Sequence, residues 1–150
     1  MVKLSKYYSL EDLCKSATAK AQKINNTPGM REVKRLKDLC INVLDPLFEK
    51  YKGAFTITSG YRSPELNRAV GGSPTSQHVR GEAADIVFHN ENHYEVANWI
   101  IKNLTFDQLI LEEWQGGNTG WIHVSYSLER GNRKMVLTKK KNVYYSGLIK

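Results

Sequence analysis

Residues 76–85 have the sequence Ser-Gln-His-Val-Arg-Gly-Glu-Ala-Ala-Asp, in which a polar loop leads into a run of small residues typical of a strand. The loop carries His78, and the strand carries Asp85. Gly81 lies between them, and a residue without a Cβ atom allows the backbone to turn sharply. We therefore expect the chain to double back at Gly81 and to bring the imidazole of His78 close to the carboxylate of Asp85.

A second stretch, residues 121–126, has the sequence Trp-Ile-His-Val-Ser-Tyr. Side chains alternate between the two faces of a strand, so Trp121, His123 and Ser125 share one face. His123 can therefore join the first pair. Two imidazoles and one carboxylate that leave a fourth position open are the donor set of a catalytic zinc site. The spacing alone is also that of histidines that merely form hydrogen bonds.

The other histidines and the cysteines are predicted to take no part in chemistry. His89 and His93 lie among polar residues between a predicted strand and a predicted helix, and we expect both to be exposed. Cys14 and Cys40 have no Cys or His partner at metal-site spacing. We expect two reduced, buried thiols in preference to a disulfide.

The pattern of apolar residues predicts helices first and strands later in the chain. The predicted helices are residues 10–24, 30–50, a short helix after Pro64, and 92–104. The predicted strands are residues 55–58, 83–88, 106–112, 121–126 and 135–138, the last two as antiparallel neighbours. This order favours an α+β fold in which helices pack on a small, mainly antiparallel sheet.

Size, composition and charge narrow the class of protein. The chain has 150 residues, the size of one domain, with 41% hydrophobic and 25% charged residues, as in folded globular proteins. The sequence has no apolar run long enough to cross a membrane and no visible signal peptide. The net charge is +7, yet residues 54–128 carry eight acidic and four basic side chains. An acidic middle segment suits a bound cation and argues against nucleic acid over that region.

Three separated motifs resemble those of one protein family. They are Ser-Gly-Tyr-Arg-Ser at residues 59–63, Ser-x-His-x-x-Gly-x-Ala-x-Asp at residues 76–85 and Trp-x-His at residues 121–123. Their order is similar to that in the zinc D-alanyl-D-alanine peptidases with the hedgehog-like fold. These include D,D-carboxypeptidases, the D-Ala-D-Ala dipeptidases of vancomycin resistance and phage endolysin endopeptidases. The resemblance is to the compact single-domain members and covers about residues 54–126.

The resemblance implies a metal site and a reaction. One zinc ion would be held by His78, Asp85 and His123. The protein would be a metallopeptidase that hydrolyses amide bonds next to D-amino acids in peptidoglycan stem peptides, as a D,D-carboxypeptidase or an endolysin-type endopeptidase. Zinc lowers the pKa of water toward neutrality and polarises the scissile carbonyl group.

The motifs do not directly identify the carboxylate that would act as the general base. In many family members it lies three positions before the last histidine, but that position is Gly120 in this chain. We expect Glu112 to replace it, because residues 108–112 resemble a pattern of the compact members and end a strand next to the Trp121 strand. Glu112 shares a strand face with Ile110, whereas Glu113 falls on the other face or in the loop. Glu113 as the base, and a purely structural Glu112, are the alternatives.

Three residues are expected to contact substrate. By resemblance, Arg62 would point into the cleft and grip a carboxylate or carbonyl oxygen with its planar guanidinium group. The alternative is a surface arginine packed on Tyr61. Ser76 and Trp121 are candidate substrate-binding residues, with holding the loop and packing, respectively, as their alternatives.

The expected organisation is one zinc peptidase domain over residues 1–150. It consists of a helical scaffold at 1–53, a catalytic core at 54–126 and a basic C-terminal segment at 127–150. The expected partner is a peptidoglycan peptide, with no nucleic acid and no membrane, and the expected state is a monomer. The location is left unknown; without a signal peptide, synthesis in the cytoplasm with phage-type release to the cell wall fits the sequence.

Two other classes of function are compatible with the sequence. One is a non-catalytic, zinc-stabilised module of the same fold that binds cell wall or protein. Such a module needs no carboxylate within reach of the metal-bound water. The other is nucleic-acid binding through the basic tail, which predicts a steep salt dependence of affinity.

Overall fold

Period-two alternation along the strands produces a sheet with one apolar and one polar face. The structure is a computed structural model in which residues 2–150 are described. Its helices are α1 (Leu10–Cys14), α2 (Ala17–Gln22), α3 (Met30–Leu39), α4 (Asp45–Tyr51), α5 (Pro64–Ala69) and α6 (His93–Asn103), with a π-helical turn at Cys40–Leu44 that joins α3 to α4. Its strands are β1 (Phe55–Ser59), β2 (Ala83–Phe88), β3 (Gln108–Glu112), β4 (Trp121–Ser125), β5 (Met135–Lys140) and β6 (Val143–Ser146).

The six strands form one sheet in the order β1-β2-β4-β3-β5-β6. All neighbouring strands are antiparallel except β3 and β5, which are parallel. The predicted α+β class, with helices packed on a mainly antiparallel sheet, is confirmed. None of the described helices has the length and apolar character that a membrane span requires.

The helices cover the apolar face of the sheet. This face carries fully buried side chains from β2, β3 and β4: Ala84, Ile86, Phe88, Leu109, Leu111, Ile122 and Val124. They form one core with residues of α3, the π-helical turn, α4 and α6: Leu36, Leu39, Val43, Leu44, Leu47, Val96, Ala97 and Ile100. Each fully buried Val, Leu, Ile or Phe side chain in this core contributes roughly 1.5–3 kcal/mol to the free energy of unfolding. The opposite face of the sheet remains free for polar residues.

The first predicted helix, residues 10–24, is wrong as one element. It is divided at Lys15, whose backbone is extended, and Ser16 caps α2 by accepting a hydrogen bond from the Ala19 N–H. Two backbone carbonyl groups at the end of α1 accept hydrogen bonds from other parts of the chain. The Tyr61 N–H donates to the Leu13 carbonyl at 2.7 Å, and Asn26 donates to the Cys14 carbonyl at 2.9 Å. The break therefore docks the segment that follows β1.

The predicted pairing of residues 121–126 with residues 135–138, which are β4 and β5, is wrong. The direction of β5 is antiparallel to β4, but β3 lies between them. The cause is Asp107, which lies just before β3: its carboxylate binds the Arg133 guanidinium, and its carbonyl accepts from the Met135 N–H at 2.9 Å. These contacts fix the start of β5 beside the start of β3. Strand β6 was not predicted, and it forms the edge of the sheet.

The expected exposure of His93 is also wrong. His93 is fully buried, whereas His89 is exposed as expected. His93 Nδ1 donates to the Thr119 carbonyl at 2.9 Å, and Nε2 accepts from the Phe88 N–H at 2.8 Å. Burial lowers the pKa of His93. This neutral imidazole ties the end of β2 to the loop before β4. The cysteines are free thiols as expected, although Cys14 is only half-buried.

We expect His93→Ala to lower the free energy of unfolding by about 1–3 kcal/mol, because it leaves the Phe88 N–H without its buried acceptor. Stability should also depend less on pH in the variant. An unfolded histidine gains a proton as the pH falls through about 6.5, whereas the lowered pKa of folded His93 opposes protonation, so the wild type loses stability in this range. Urea denaturation at about pH 7.5 and about pH 5.5 measures both effects. His89→Ala is the control, and an equal pH dependence in all three proteins would contradict the assignment.

Candidate metal centre and its cleft

The candidate centre lies on the polar face of the sheet, where β2 pairs with β4. Asp85 and His123 are direct partners in the antiparallel register of these strands, so their side chains project side by side. The distance from His123 Nδ1 to Asp85 Oδ1 is 3.1 Å. Trp121 and His123 both line the cleft on this face, as the alternation predicts.

His78 reaches the same point from the loop before β2. The chain turns at Gly81, where φ is +76° and a Cβ atom would lie 2.7 Å from the Glu32 carbonyl oxygen. Only glycine suits both the conformation and the close approach. The loop therefore places His78 Nε2 at 3.4 Å from Asp85 Oδ1, as expected from the sequence.

The hydrogen bond at Nδ1 of His78 determines which ring nitrogen carries the proton. His78 is buried, and its Nδ1 lies 2.8 Å from the Gly60 carbonyl oxygen. A carbonyl oxygen only accepts, so Nδ1 carries the proton and donates it. In the neutral imidazole, Nε2 then presents a lone pair toward Asp85.

A series of hydrogen bonds from Arg133 through Asp107 and Gln77 determines which ring nitrogen of His123 carries the proton. Asp107 is a carboxylate bound by Arg133, and it accepts from the Gln77 amide nitrogen at 3.0 Å. The amide oxygen of Gln77 therefore faces His123 Nε2 at 2.9 Å, and this nitrogen donates. His123 Nδ1 is left with a lone pair toward Asp85. Such partners commonly orient metal-ligating histidines.

Burial and hydrogen bonding act in opposite directions on the pKa of Asp107. Burial acts to raise it, but the hydrogen bonds from Arg133 outweigh burial and hold the pKa below its ordinary value. Gln77 and Asp107 were not singled out in the sequence. Gln77 is adjacent to His78, but the contact with Asp107 depends on the long-range pairing of β3 and β5.

The three inward-facing groups need positive charge between them. One ligand atom from each of His78, Asp85 and His123 lies within 4.8 Å of the others. Burial acts to raise the pKa of Asp85, but hydrogen bonds from protonated His123 and His78 would outweigh it and hold the pKa below its ordinary value. A cation can take the place of those protons. Tetrahedral zinc with bonds of about 2.0–2.1 Å separates its ligand atoms by about 3.3 Å, close to the two measured distances. The donor set therefore fits zinc.

Arg62 points into the cleft and is not a surface arginine. Its Nε donates to Ser59 Oγ at 3.1 Å, and Nη1 donates to Asn67 Oδ1 at 2.9 Å. Nη2 lies 3.9 Å from Asp85 Oδ2. Burial lowers the pKa of Arg62, and the charges of Asp85 and Glu112 partly oppose this. The guanidinium group is thus held beside the candidate metal centre.

Glu112 lies in the same cleft at the end of β3. Its register partner on β4 is Trp121, whose indole Nε1 donates to Glu112 Oε2 at 3.1 Å. The side chain is buried, and burial raises the pKa of Glu112, with a further contribution from the negative charge of Asp85. A buried carboxylate with a raised pKa is suited to accept and return a proton.

Glu113 is directed elsewhere. Its φ is +53°, and its carboxylate accepts from the Lys141 N–H at 3.0 Å, outside the cleft lining. The structure also shows why position 120 carries no carboxylate. Gly120 has φ +65°, and a Cβ atom there would collide with the Glu112 carbonyl oxygen. Of these positions, only Glu112 brings an acidic side chain to the cleft.

Ser76 and the C-terminal strands complete the cleft, whose volume is about 530 Å³. Ser76 Oγ accepts from the His78 N–H at 3.2 Å, so it supports the loop, and it also lines the cleft. Lys139 of β5 and Tyr144 of β6 line the cleft as well. Neither was expected from the sequence, because their position depends on the pairing of β5 with β3.

Comparison with known proteins agrees with this geometry. No curated protein matches the chain. The family model described as Peptidase M15 matches residues 6–125. The match includes the four helices that precede the first motif, so it is longer than the resemblance seen in the motifs alone. The chain belongs to the peptidase M15 family.

Proposed function

We propose that the protein is a zinc-dependent peptidase that hydrolyses amide bonds next to D-amino acids in peptidoglycan stem peptides. The observation that carries the proposal is the convergence of His78, Asp85 and His123 in a cleft that also contains the buried carboxylate of Glu112. Membership of a zinc-dependent peptidase family supports it.

In this proposal His78 Nε2, His123 Nδ1 and a carboxylate oxygen of Asp85 hold one zinc ion. When bound, zinc supplies a Lewis acid for the scissile carbonyl group and makes water nucleophilic at neutral pH. The hydrogen bonds from His78 to Gly60 and from His123 to Gln77 keep both imidazoles in the tautomer that can bind a metal.

Glu112 takes the proton of the attacking water and returns it to the leaving amine. Its Oε2 is held by the Trp121 indole, and its Oε1 lies 3.7 Å from Lys139 Nζ. These contacts orient the carboxylate without removing it from the cleft. Positioned acid–base groups of this kind contribute typically about 10²- to 10⁴-fold to a rate.

Arg62 grips a substrate carboxylate or carbonyl oxygen at the end of the cleft next to β1 and β2. Its hydrogen bonds to Ser59 and Asn67 fix the guanidinium plane, which reduces the entropy lost on binding. Ser76 and Trp121 line the same cleft as Arg62 and Glu112 and provide further substrate contacts.

We expect His78→Ala and His123→Ala to lose bound zinc, because each removes one of three protein ligands. Elemental analysis after dialysis should give about one equivalent of zinc in the wild type and much less in both variants. His89→Ala is the matched control, since His89 is exposed and lies outside the cleft lining. A full equivalent of zinc in both ligand variants would remove the proposed metal site.

We expect Glu112→Gln to keep its zinc and to lower kcat by roughly 10²- to 10⁴-fold, because the amide cannot carry the proton. Glu113→Gln, the matched control, should keep wild-type turnover. Steady-state kinetics together with zinc analysis separate the two effects. Wild-type turnover in Glu112→Gln would exclude Glu112 as the base, and loss of activity in Glu113→Gln would assign that role to Glu113.

The substrate class is tested directly on purified peptidoglycan. Incubation with the zinc-loaded protein should release peptides with new amino termini or free D-amino acids, identified by mass spectrometry. The Glu112→Gln protein serves as the control for contaminating hydrolases. New reducing sugar ends without new amines, or no products at all, would contradict the proposed reaction.

A further inference from the structure

One row of side chains crosses four strands on the polar face of the sheet. In the register of the strands, Trp121 of β4 is the partner of Glu112 of β3, and Glu112 is the partner of Lys139 of β5. Lys139 is in turn the partner of Tyr144 of β6. Because register partners project from the same face, the row continues the cleft beyond Glu112 toward the edge of the sheet.

The far end of this row, on β5 and β6, lies two and three strands away from β4, which carries His123. Neighbouring strands lie about 4.8 Å apart, so β5 is about 10 Å and β6 about 14 Å from the strand that carries His123. An extended peptide advances by about 3.3–3.6 Å per residue. An extended substrate that ran across the strands from the candidate metal centre would therefore reach Lys139 on β5 after about three residues and Tyr144 on β6 after about four.

The end of the cleft at β5 and β6 carries a positively charged side chain, that of Lys139. Among the described residues that line the cleft, the two basic side chains are Arg62 and Lys139, which lie on opposite sides of β4 and β3 in the strand order. The Lys139 side chain is 24% exposed, and its Nζ lies 3.7 Å from Glu112 Oε1. This separation exceeds that of a hydrogen bond. The ammonium group thus has N–H donors left for a ligand.

Tyr144 provides a surface beside this cation. Tyr144 is 55% exposed as a residue, and Lys139 Nζ lies 5.3 Å from the centre of its ring. An exposed aromatic ring next to an ammonium group suits a ligand that carries both hydrocarbon and a negative charge. Residues 135–146 also lie beyond the segment that matches the peptidase family, residues 6–125. The hairpin of β5 and β6 therefore adds Lys139 and Tyr144 to the cleft, and residues 6–125 do not supply them.

We propose that Lys139 and Tyr144 form a substrate subsite that binds a carboxylate of the peptide about three residues from the cleaved bond, on the side opposite Arg62. The subsite rests on the proposed peptidase function. Lys139 binds the carboxylate, and the ring of Tyr144 packs on the adjoining backbone and methylene groups. The chain consequently prefers peptides that are long and acidic at this position over shorter or amidated ones.

The test uses two stem pentapeptides that end in D-Ala-D-Ala and differ in one group. One has the free carboxylate of its glutamate, the third residue before the final bond, and the other has the carboxamide. We expect the wild type to favour the acidic peptide by about three- to tenfold in kcat/KM, the range of one exposed charge-assisted contact. Lys139→Gln should bring this ratio close to one, and Lys139→Arg should retain it. Tyr144→Ser should raise KM for both peptides.

Matched controls come from the other face of the same hairpin. Lys140→Gln and Tyr145→Ser change neighbouring residues that alternate away from the cleft lining, and both should keep the wild-type ratio. If Lys139 only orients Glu112, Lys139→Gln lowers kcat equally for both peptides and leaves their ratio unchanged. That result would overturn the subsite, as would loss of the preference in Lys140→Gln alone.

A binding measurement separates this proposal from the proposed function. Calorimetric titration of zinc-loaded wild type, Lys139→Gln and Lys140→Gln with each peptide, carrying a non-hydrolysable replacement of the final amide bond, gives Kd without turnover. A preference for the acidic peptide that only Lys139→Gln loses would support the subsite even if neither peptide is hydrolysed, which would count against the reaction. Hydrolysis of both peptides with equal Kd and equal kcat/KM would uphold the reaction and exclude the subsite.

Discussion

The antiparallel register of β2 with β4 is the constraint on which the site depends. It makes Asp85 and His123 direct neighbours on the polar face, while Ala84, Ile86, Ile122 and Val124 occupy the apolar face and are fully buried. A slip of one residue would exchange the two faces and bury the carboxylate among the helices. The hydrophobic effect therefore holds the polar site in register, although these apolar side chains lie on the opposite face of the sheet.

The helical layer positions the two loops that complete the site. Gly60 packs against the Leu13 carbonyl of α1, and Gly81 packs against the Glu32 carbonyl of α3, so neither position has room for a side chain. The loops also bind each other, since the Arg62 N–H donates to the His78 carbonyl at 3.2 Å. Contacts between the loops and with the helices consequently hold Arg62 and His78 in place. This explains why a family match to a peptidase includes helices that contribute no residue to the cleft.

Local patterns in the sequence predicted what local physics determines. Alternation identified the face shared by Trp121 and His123, and the glycine of residues 76–85 identified the turn that returns His78 to Asp85. The errors have long-range causes. The burial of His93 depends on the Thr119 carbonyl from a distant loop, and the place of β5 depends on the ion pair of Arg133 with Asp107. Neither contact leaves a periodic signal in the sequence, so Lys139 and Tyr144 were missed as residues of the cleft.

The position of the acidic side chain connects these features. The loop before β4 closes so tightly on the end of β3 that residue 120 must be glycine, which excludes a carboxylate at that position. The nearest sheet position that faces the cleft is Glu112, the partner of Trp121. A side chain on a strand is held more rigidly than one on a loop, which favours accurate proton transfer. Because this carboxylate lies on β3, the neighbouring strand β5 borders the candidate site, and Lys139 of β5 lines the cleft. The basic C-terminal hairpin is thereby part of the same cleft as the candidate metal centre.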